Sequence, residues 1–297
     1  MRVFVTGATG FIGSAVVAEL LDAGHQVLAL ARSDQAAAEL VVAGAEPHRG
    51  ELVNVESLAA GARACDGVAH LAFIHDFSTY QENGAIDHRA VMAMVDALEG
   101  SGKPIVITSG TTSVAADRPI TEDDAATSDS AAAVRAPSEA TVLDAATRGV
   151  RSSVLRLPPS VHGGGDHAFV PALIDIARRT GVSAHVGDGA NQWSAVHRLD
   201  AARLFRLALE RAAPGTRLHG VAEEGIAMRA IAEAIGEGLG VPVRSITAED
   251  AATHFTWLAH FVVRDARASS AITQKAMDWR PREFGLLQDM RESGYFD

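Results

Sequence analysis

The chain has 297 residues, 37 acidic and 26 basic, for a formal net charge of −11; at this length it can bury about 75% of its unfolded surface and needs no staples. The acidic balance argues against a nucleic-acid partner, and the single cysteine, Cys65, excludes an internal disulfide or a multi-cysteine metal site. No run nears the ~18 apolar residues of a membrane span and the first residues lack a signal-peptide pattern, so a cytoplasmic protein without membrane or metal partners is expected.

Residues 3–5 form a short apolar run that predicts a buried strand, followed by a helix over 14–21 that stops at Gly24. Residues 26–31 predict a second strand, 34–43 a helix and 46–49 a short strand. Further strands are expected at 68–72, 104–108 and 152–157, with helices at 88–98 and 134–146 between them. Asp87 reads as the N-cap of the first of these helices. Residues 117–129 are acidic and small, and read as a solvated loop or as a lid. Beyond Leu199 the pattern is mostly helical. His254, Phe255, Trp257 and His260 stand at helical spacing, as packing residues or as the lining of an apolar pocket. Strands that are apolar throughout and alternate with helices predict an α/β fold, a Rossmann-type doubly wound parallel sheet with a smaller, mainly helical C-terminal substrate region. The chain is expected to be one unit. Its cofactor core would run over about 1–160 plus part of 161–220, with the substrate side mainly 161–195 and 221–297.

The most informative segment is Thr6-Gly7-Ala8-Thr9-Gly10-Phe11-Ile12-Gly13, which follows a strand and opens a helix. Gly7 allows a tight turn, Gly10 lets a pyrophosphate approach the backbone, and Gly13 lets helix and strand pack closely. Thr9, Phe11 and Ile12 complete a phosphate cradle at the positive end of the helix. The second strand ends in Arg32-Ser33, where a NAD-binding chain carries an acidic residue. A guanidinium and a hydroxyl there suit a 2′-phosphate, so NADP (NADPH) is expected over NAD.

These segments resemble the extended short-chain dehydrogenase/reductase superfamily, which includes nucleotide-sugar epimerases and dihydroflavonol-type reductases. The likeness runs along most of the chain: TGxxGxxG at 6–13, Gly50-Glu51-Leu52 in place of Gly-Asp-Leu, Ala69-His70-Leu71-Ala72 at the fourth strand, and the segments 156–163, 193–200 and 269–281. The resemblance implies that Glu51 and Leu52 meet the adenine and that Leu71 and Ala72 pass beside the cofactor. It departs at the chemistry. The superfamily's catalytic tyrosine, four residues before a lysine, is replaced by Arg135 and Glu139, and Gly110 stands at its serine between Ser109 and Thr111. The chain thus resembles the atypical members, which keep the cofactor fold and lose the standard tetrad.

Candidate catalytic groups are therefore Arg135, as electrostatic stabiliser of a developing alkoxide, and Ser109 and Thr111, as hydrogen-bond donors to it. His162, where the superfamily usually has tyrosine, His75 and His167 are candidate proton donors, and Tyr80 lies in the loop after the fourth strand. Glu139 is expected to accept hydrogen bonds from the nicotinamide ribose. Three readings follow: an NADP(H)-dependent reductase of a small carbonyl-type substrate, a non-catalytic NADP-binding sensor or partner protein, and a sugar-nucleotide epimerase or dehydratase. The superfamily habit adds a homodimer, formed through the helices at 88–98 and 134–146, with Met94 the residue to probe.

Overall fold

The apolar runs of the first half become strands β1 (Arg2–Thr6), β2 (Gln26–Ala31), β3 (Glu46–Arg49), β4 (Gly67–His70), β5 (Pro104–Gly110) and β6 (Arg151–Leu157). The second half adds β7 (Ser160–His162), β8 (Ser183–Val186), β9 (Gln192–His197), β10 (Thr216–His219), β11 (Glu223–Ala227) and β12 (Val243–Ile246). The computed structural model describes residues 1–114, 116–127 and 131–297. Seven strands form one sheet in the order β10-β6-β5-β4-β1-β2-β3, and every pairing in it is parallel. The Rossmann-type α/β class expected from the sequence is therefore the observed one. The strand order reverses between β1 and β4, which places a crevice outside their carboxyl ends.

Both faces of the sheet are covered, and successive residues of each strand serve opposite sides. Val3, Val5, Ala29 and Val106 pack with the helices Phe11–Asp22 and Arg198–Arg211. Phe4, Leu28, Val68 and Ile105 pack with the helices Val55–Arg63 and Tyr80–Leu98. A separate apolar group joins Trp193 and Ala195 of β9 to the helices Phe169–Thr180, Met228–Leu239 and Leu286–Glu292. Trp279, fully buried, donates its indole N–H to the Asp200 carbonyl at 3.0 Å and ties the C-terminal segment to the start of Arg198–Arg211. No helix among the described residues is long and apolar enough to cross a membrane.

Several boundaries differ from expectation, each for a local reason. The helix expected from His88 begins at Tyr80, so Asp87 lies buried in its third turn and caps nothing. The helix expected over 134–146 is three pieces: a 3-10 turn Ala131–Arg135, an α-helix Ala136–Asp144 with proline in its first turn, and a 3-10 turn Ala145–Arg148. Helix Val55–Arg63, not foreseen, is capped by Asn54, which accepts the Ser57 N–H at 3.0 Å. The acidic segment 117–129 is not simply solvated. Glu122 is buried and accepts from the Thr273 N–H and hydroxyl at 2.7 and 2.6 Å, and Arg156 donates to the Asp124 carbonyl at 2.7 Å. Its end, Asp129, lies outside the described residues.

Candidate active site

The site is built on the turn that leaves β1. Gly7 has φ +70°, and a Cβ there would stand 2.7 Å from the Ala72 backbone nitrogen. A Cβ on Gly13 would stand 1.9 Å from the Gly7 carbonyl, so helix and turn touch backbone to backbone. Gly10 donates to the Gly7 carbonyl at 3.0 Å and accepts from Ser14 N–H at 2.8 Å. The N–H groups of Phe11, Ile12 and Gly13 therefore precede the first intrahelical donor, Ser14, and no side chain caps this helix. That bare, positive terminus fits a pyrophosphate, and Thr9 and Gly10 beside it are exposed. The backbone of Leu71 and Ala72 lies against Gly7.

At the end of β2, Arg32 and Ser33 are exposed. The Ser33 hydroxyl accepts the Ala36 N–H at 3.1 Å as an N-cap, which leaves its own proton to donate. Asp34, the nearest carboxylate, pairs with Arg49 at 2.8 Å. Glu51 is exposed, and Leu52 is half-buried against the sheet's second face.

A buried polar chain runs from this turn toward Arg135. The Ala72 N–H donates to Thr6 Oγ1 at 3.2 Å, and that oxygen lies 2.7 Å from His70 Nδ1. His70 Nε2 lies 3.2 Å from Asp87 Oδ1, and the Ser138 hydroxyl donates to Asp87 Oδ2 at 2.6 Å. Arg135 Nη2 reaches Asp87 Oδ1 at 3.5 Å, and the guanidinium lies 4.1 Å from the Phe73 ring centre. Burial alone would raise the Asp87 carboxyl pKa; Arg135, His70 and Ser138 outweigh it and hold it down at about 2. Asp87 is thus a fixed anion that orients Arg135. Thr6, His70, Asp87 and Ser138 were not singled out from the sequence as site residues. The misplaced helix start hid Asp87, whose only sequence signal is a carboxylate in an otherwise apolar helical stripe.

Ser109 and Thr111 close β5 and open the next turn. Both are buried, and among the described residues neither hydroxyl has a hydrogen-bond partner. An unsatisfied buried hydroxyl costs about 1–3 kcal/mol, so the pair is suited to a group that arrives with substrate. Around Arg135, Phe73 makes edge contacts with His75 at 5.2 Å and Tyr80 at 5.7 Å. Burial raises the Tyr80 pKa against the opposing pull of the Arg135 charge. Partial desolvation, then the Arg135 charge, lowers that of His75. Asn83 donates to the Asp76 carbonyl at 2.9 Å and so anchors this loop to its helix.

Two expected residues are engaged elsewhere. Glu139 is fully buried and forms a two-pronged ion pair with Arg156, with Arg217 Nε adding a bond at 3.2 Å. Both its oxygens face guanidinium groups across β6 and β10, which corrects the ribose role expected for it. His162 is fully buried at the end of β7, with Nδ1 2.8 Å from Asp289 Oδ2 and its ring edge-on to His197 at 5.4 Å. The Nδ1 bond ties β7 to the C-terminal helix, while Nε2 is buried with no hydrogen-bond partner among the described residues. The glycine-rich loop after it does reach the site, for the His167 ring lies edge-on to Phe11 at 5.8 Å. No group of three or more metal-ligating side chains occurs among the described residues.

The chain is similar to known proteins. A 2-alkyl-3-oxoalkanoate reductase of Stenotrophomonas maltophilia is 30% identical over 261 residues, which cover 82% of this chain and 77% of that protein. An uncharacterized protein of Schizosaccharomyces pombe is 46% identical over 296 residues, spanning 100% of both chains. Among solved structures, a UDP-glucose 4-epimerase of Thermotoga maritima with UDP-glucose superposes with a TM-score of 0.77 at 18% identity, over 100% of this chain and 98% of that one, a likeness of fold alone. Residues 3–219, the stretch that carries the glycine turn, the switch point and the Arg135 region, match the NAD dependent epimerase/dehydratase family, a nicotinamide-dinucleotide-dependent group to which this chain belongs.

Proposed function

We propose that the protein is an NADP(H)-dependent reductase of a small carbonyl compound. The observation that carries this reading is the buried chain Thr6–His70–Asp87–Arg135, which links the dinucleotide turn to a guanidinium held among polar and aromatic groups. The bound dinucleotide supplies the hydride. Thr9, Gly10, Phe11, Ile12 and Gly13 hold its pyrophosphate, Leu71 and Ala72 flank it, and Glu51 and Leu52 border the adenine. Arg32 and Ser33 receive the 2′-phosphate. Arg135 polarises the substrate oxygen and stabilises the alkoxide, and the hydroxyls of Ser109 and Thr111 donate to it.

The proton comes from Tyr80. Tyr80 packs against the Phe73 ring that also carries the Arg135 guanidinium, and a phenol holds its proton at neutral pH, whereas burial and the Arg135 charge lower the His75 pKa and keep that ring unprotonated. Arg135 lowers the cost of the tyrosinate left behind, as an adjacent cation does for any phenol. The relatives favour the same chemistry, since one of them is named as a reductase of an oxoalkanoate.

The test is transfer of deuterium from NADPH, labelled at the transferable position, to a panel of aldehydes and ketones, read by mass spectrometry. Arg135→Ala and Tyr80→Phe are each expected to lower kcat by about 10²–10⁴-fold with NADPH binding retained. Arg32→Ala is expected to weaken NADPH at least about tenfold and leave NADH unchanged. Tight NADPH binding without deuterium in any product would overturn the reading in favour of a dinucleotide-binding partner protein.

A further inference from the structure

Next to the loop whose His167 meets the dinucleotide turn stands an aromatic face that the chemistry above does not use. The loop whose His167 touches Phe11 runs two residues further into Phe169, the first residue of its helix. The Phe169 ring meets Phe261 at 4.9 Å, Trp193 at 5.7 Å and Trp257 at 5.8 Å, in tilted contacts. Trp193 is fully buried and donates its indole N–H to the Phe261 carbonyl at 3.3 Å, so the base of the face is fixed. Trp257 is 45% exposed.

Trp257 is also held out by the backbone. Helix Ala248–Phe255 ends at Thr256 with φ 52° and ψ −121°, a conformation that a β-branched residue adopts only under strain. Such strain persists where surrounding packing imposes it, and it gathers at ligand sites. Here Phe255 on one side and Leu258 on the other are buried in the C-terminal apolar group. The strained residue between them turns the chain so that the indole leaves the core.

We infer that Phe169, Trp257 and Phe261 form the substrate-recognition wall, and that it takes the apolar alkyl or aromatic body of a neutral ketone. The inference rests on the reductase reading for the reaction but not for the binding. Aromatic faces gain by covering apolar surface and by offset stacking, and they offer nothing to offset the two charges of a diphosphate. A substrate lying against this wall extends past His167 toward the dinucleotide turn, with its carbonyl at the Arg135 end.

Binding can be read without turnover. Trp193 and Trp279 are each 1% exposed, so acrylamide quenching of tryptophan fluorescence reports Trp257. In the protein–NADP complex, decan-2-ol is expected to lower the quenching constant at least about twofold, and UDP-glucose to leave it unchanged. The kcat/KM ratio of decan-2-one to butan-2-one is expected to fall about tenfold in Trp257→Ala and to recover in Trp257→Phe. Protection by UDP-glucose equal to that by decan-2-ol, or no protection by decan-2-ol up to its solubility, overturns the wall. Protection without deuterium transfer to any ketone keeps the wall and overturns the reductase. Transfer without protection does the reverse.

Discussion

Asp87 gathers three groups that are distant in sequence, His70, Arg135 and Ser138, and its substitution separates structure from charge. The carboxyl is depressed from 3.8 to about 2, so its stabilising contribution is fully present above about pH 4 and is lost as the pH falls through about 2. The shift corresponds to about 2 kcal/mol. Asp87→Asn keeps the shape but leaves Arg135 without its anion in a buried setting, at an expected cost of about 3 kcal/mol at pH 7. The cost should shrink toward pH 2, where about half of the wild-type carboxyls are protonated. Urea melts between pH 2 and pH 7 measure this difference, and a gap independent of pH would refute the role given to the ion pair. Asp87 also shows where the sequence was hard to read. The glycines, the apolar strands and the Arg135 and Glu139 substitutions were legible because each depends on residue type at a fixed offset. Whether an acidic residue caps a helix or neutralises a buried guanidinium depends on a partner 48 residues away, and local pattern carries no trace of that. Glu139 misled for the same reason, since its partners Arg156 and Arg217 lie 17 and 78 residues along the chain.

The β1 turn and its helix make two glycines, three residues apart, answer to different demands. A methyl on Gly13 would overlap the Gly7 carbonyl at 1.9 Å, backbone against backbone, with no flexible group to yield. Gly13→Ala should therefore push the helix Phe11–Asp22 off the strand, lower the melting temperature and abolish NADPH binding. A methyl on Gly10 would meet only the Gly7 carbonyl, at 3.2 Å, and otherwise point into open space. Gly10→Ala should keep the wild-type melting temperature within a degree or two yet weaken NADPH at least about tenfold, because the lost room is the phosphate's. Calorimetry and NADPH fluorescence titration on both variants check the pair. Equal effects of the two substitutions would mean that the turn is a packing device only. At this scale the sequence was read well for β1–β6, since their apolar runs are short and continuous, and missed the short strands β7–β12. It was read less well for helices that begin in aromatic or alanine-rich stretches, where Tyr80 and Ala136 carry no capping signal.

The molecule as a whole presents the helices Tyr80–Leu98 and Ala136–Asp144 on one flank of the sheet, and they pack against each other. We propose that this flank is where two copies meet, in line with the dimer expected from the sequence. The residue to probe is not Met94. That side chain is fully buried among Phe4, Leu58 and Ile105 on the sheet's second face, so a lysine there would put an unpaired charge in the core and unfold the chain whatever its oligomeric state. Met92, two residues earlier, is 42% exposed on the outer side of the same helix, alongside exposed Ala85 and Arg89. Met92→Lys should leave the melting temperature of the isolated subunit nearly unchanged, since surface substitutions rarely move stability by more than about 0.5 kcal/mol. It should, however, place two like charges in a symmetric interface, because each copy presents the same residue to its twin. Light scattering across a dilution series is the measurement: the wild type at twice the chain mass and Met92→Lys at the chain mass establish the flank as the contact. A dimer unaffected by the lysine places the interface elsewhere, and a monomeric wild type removes it.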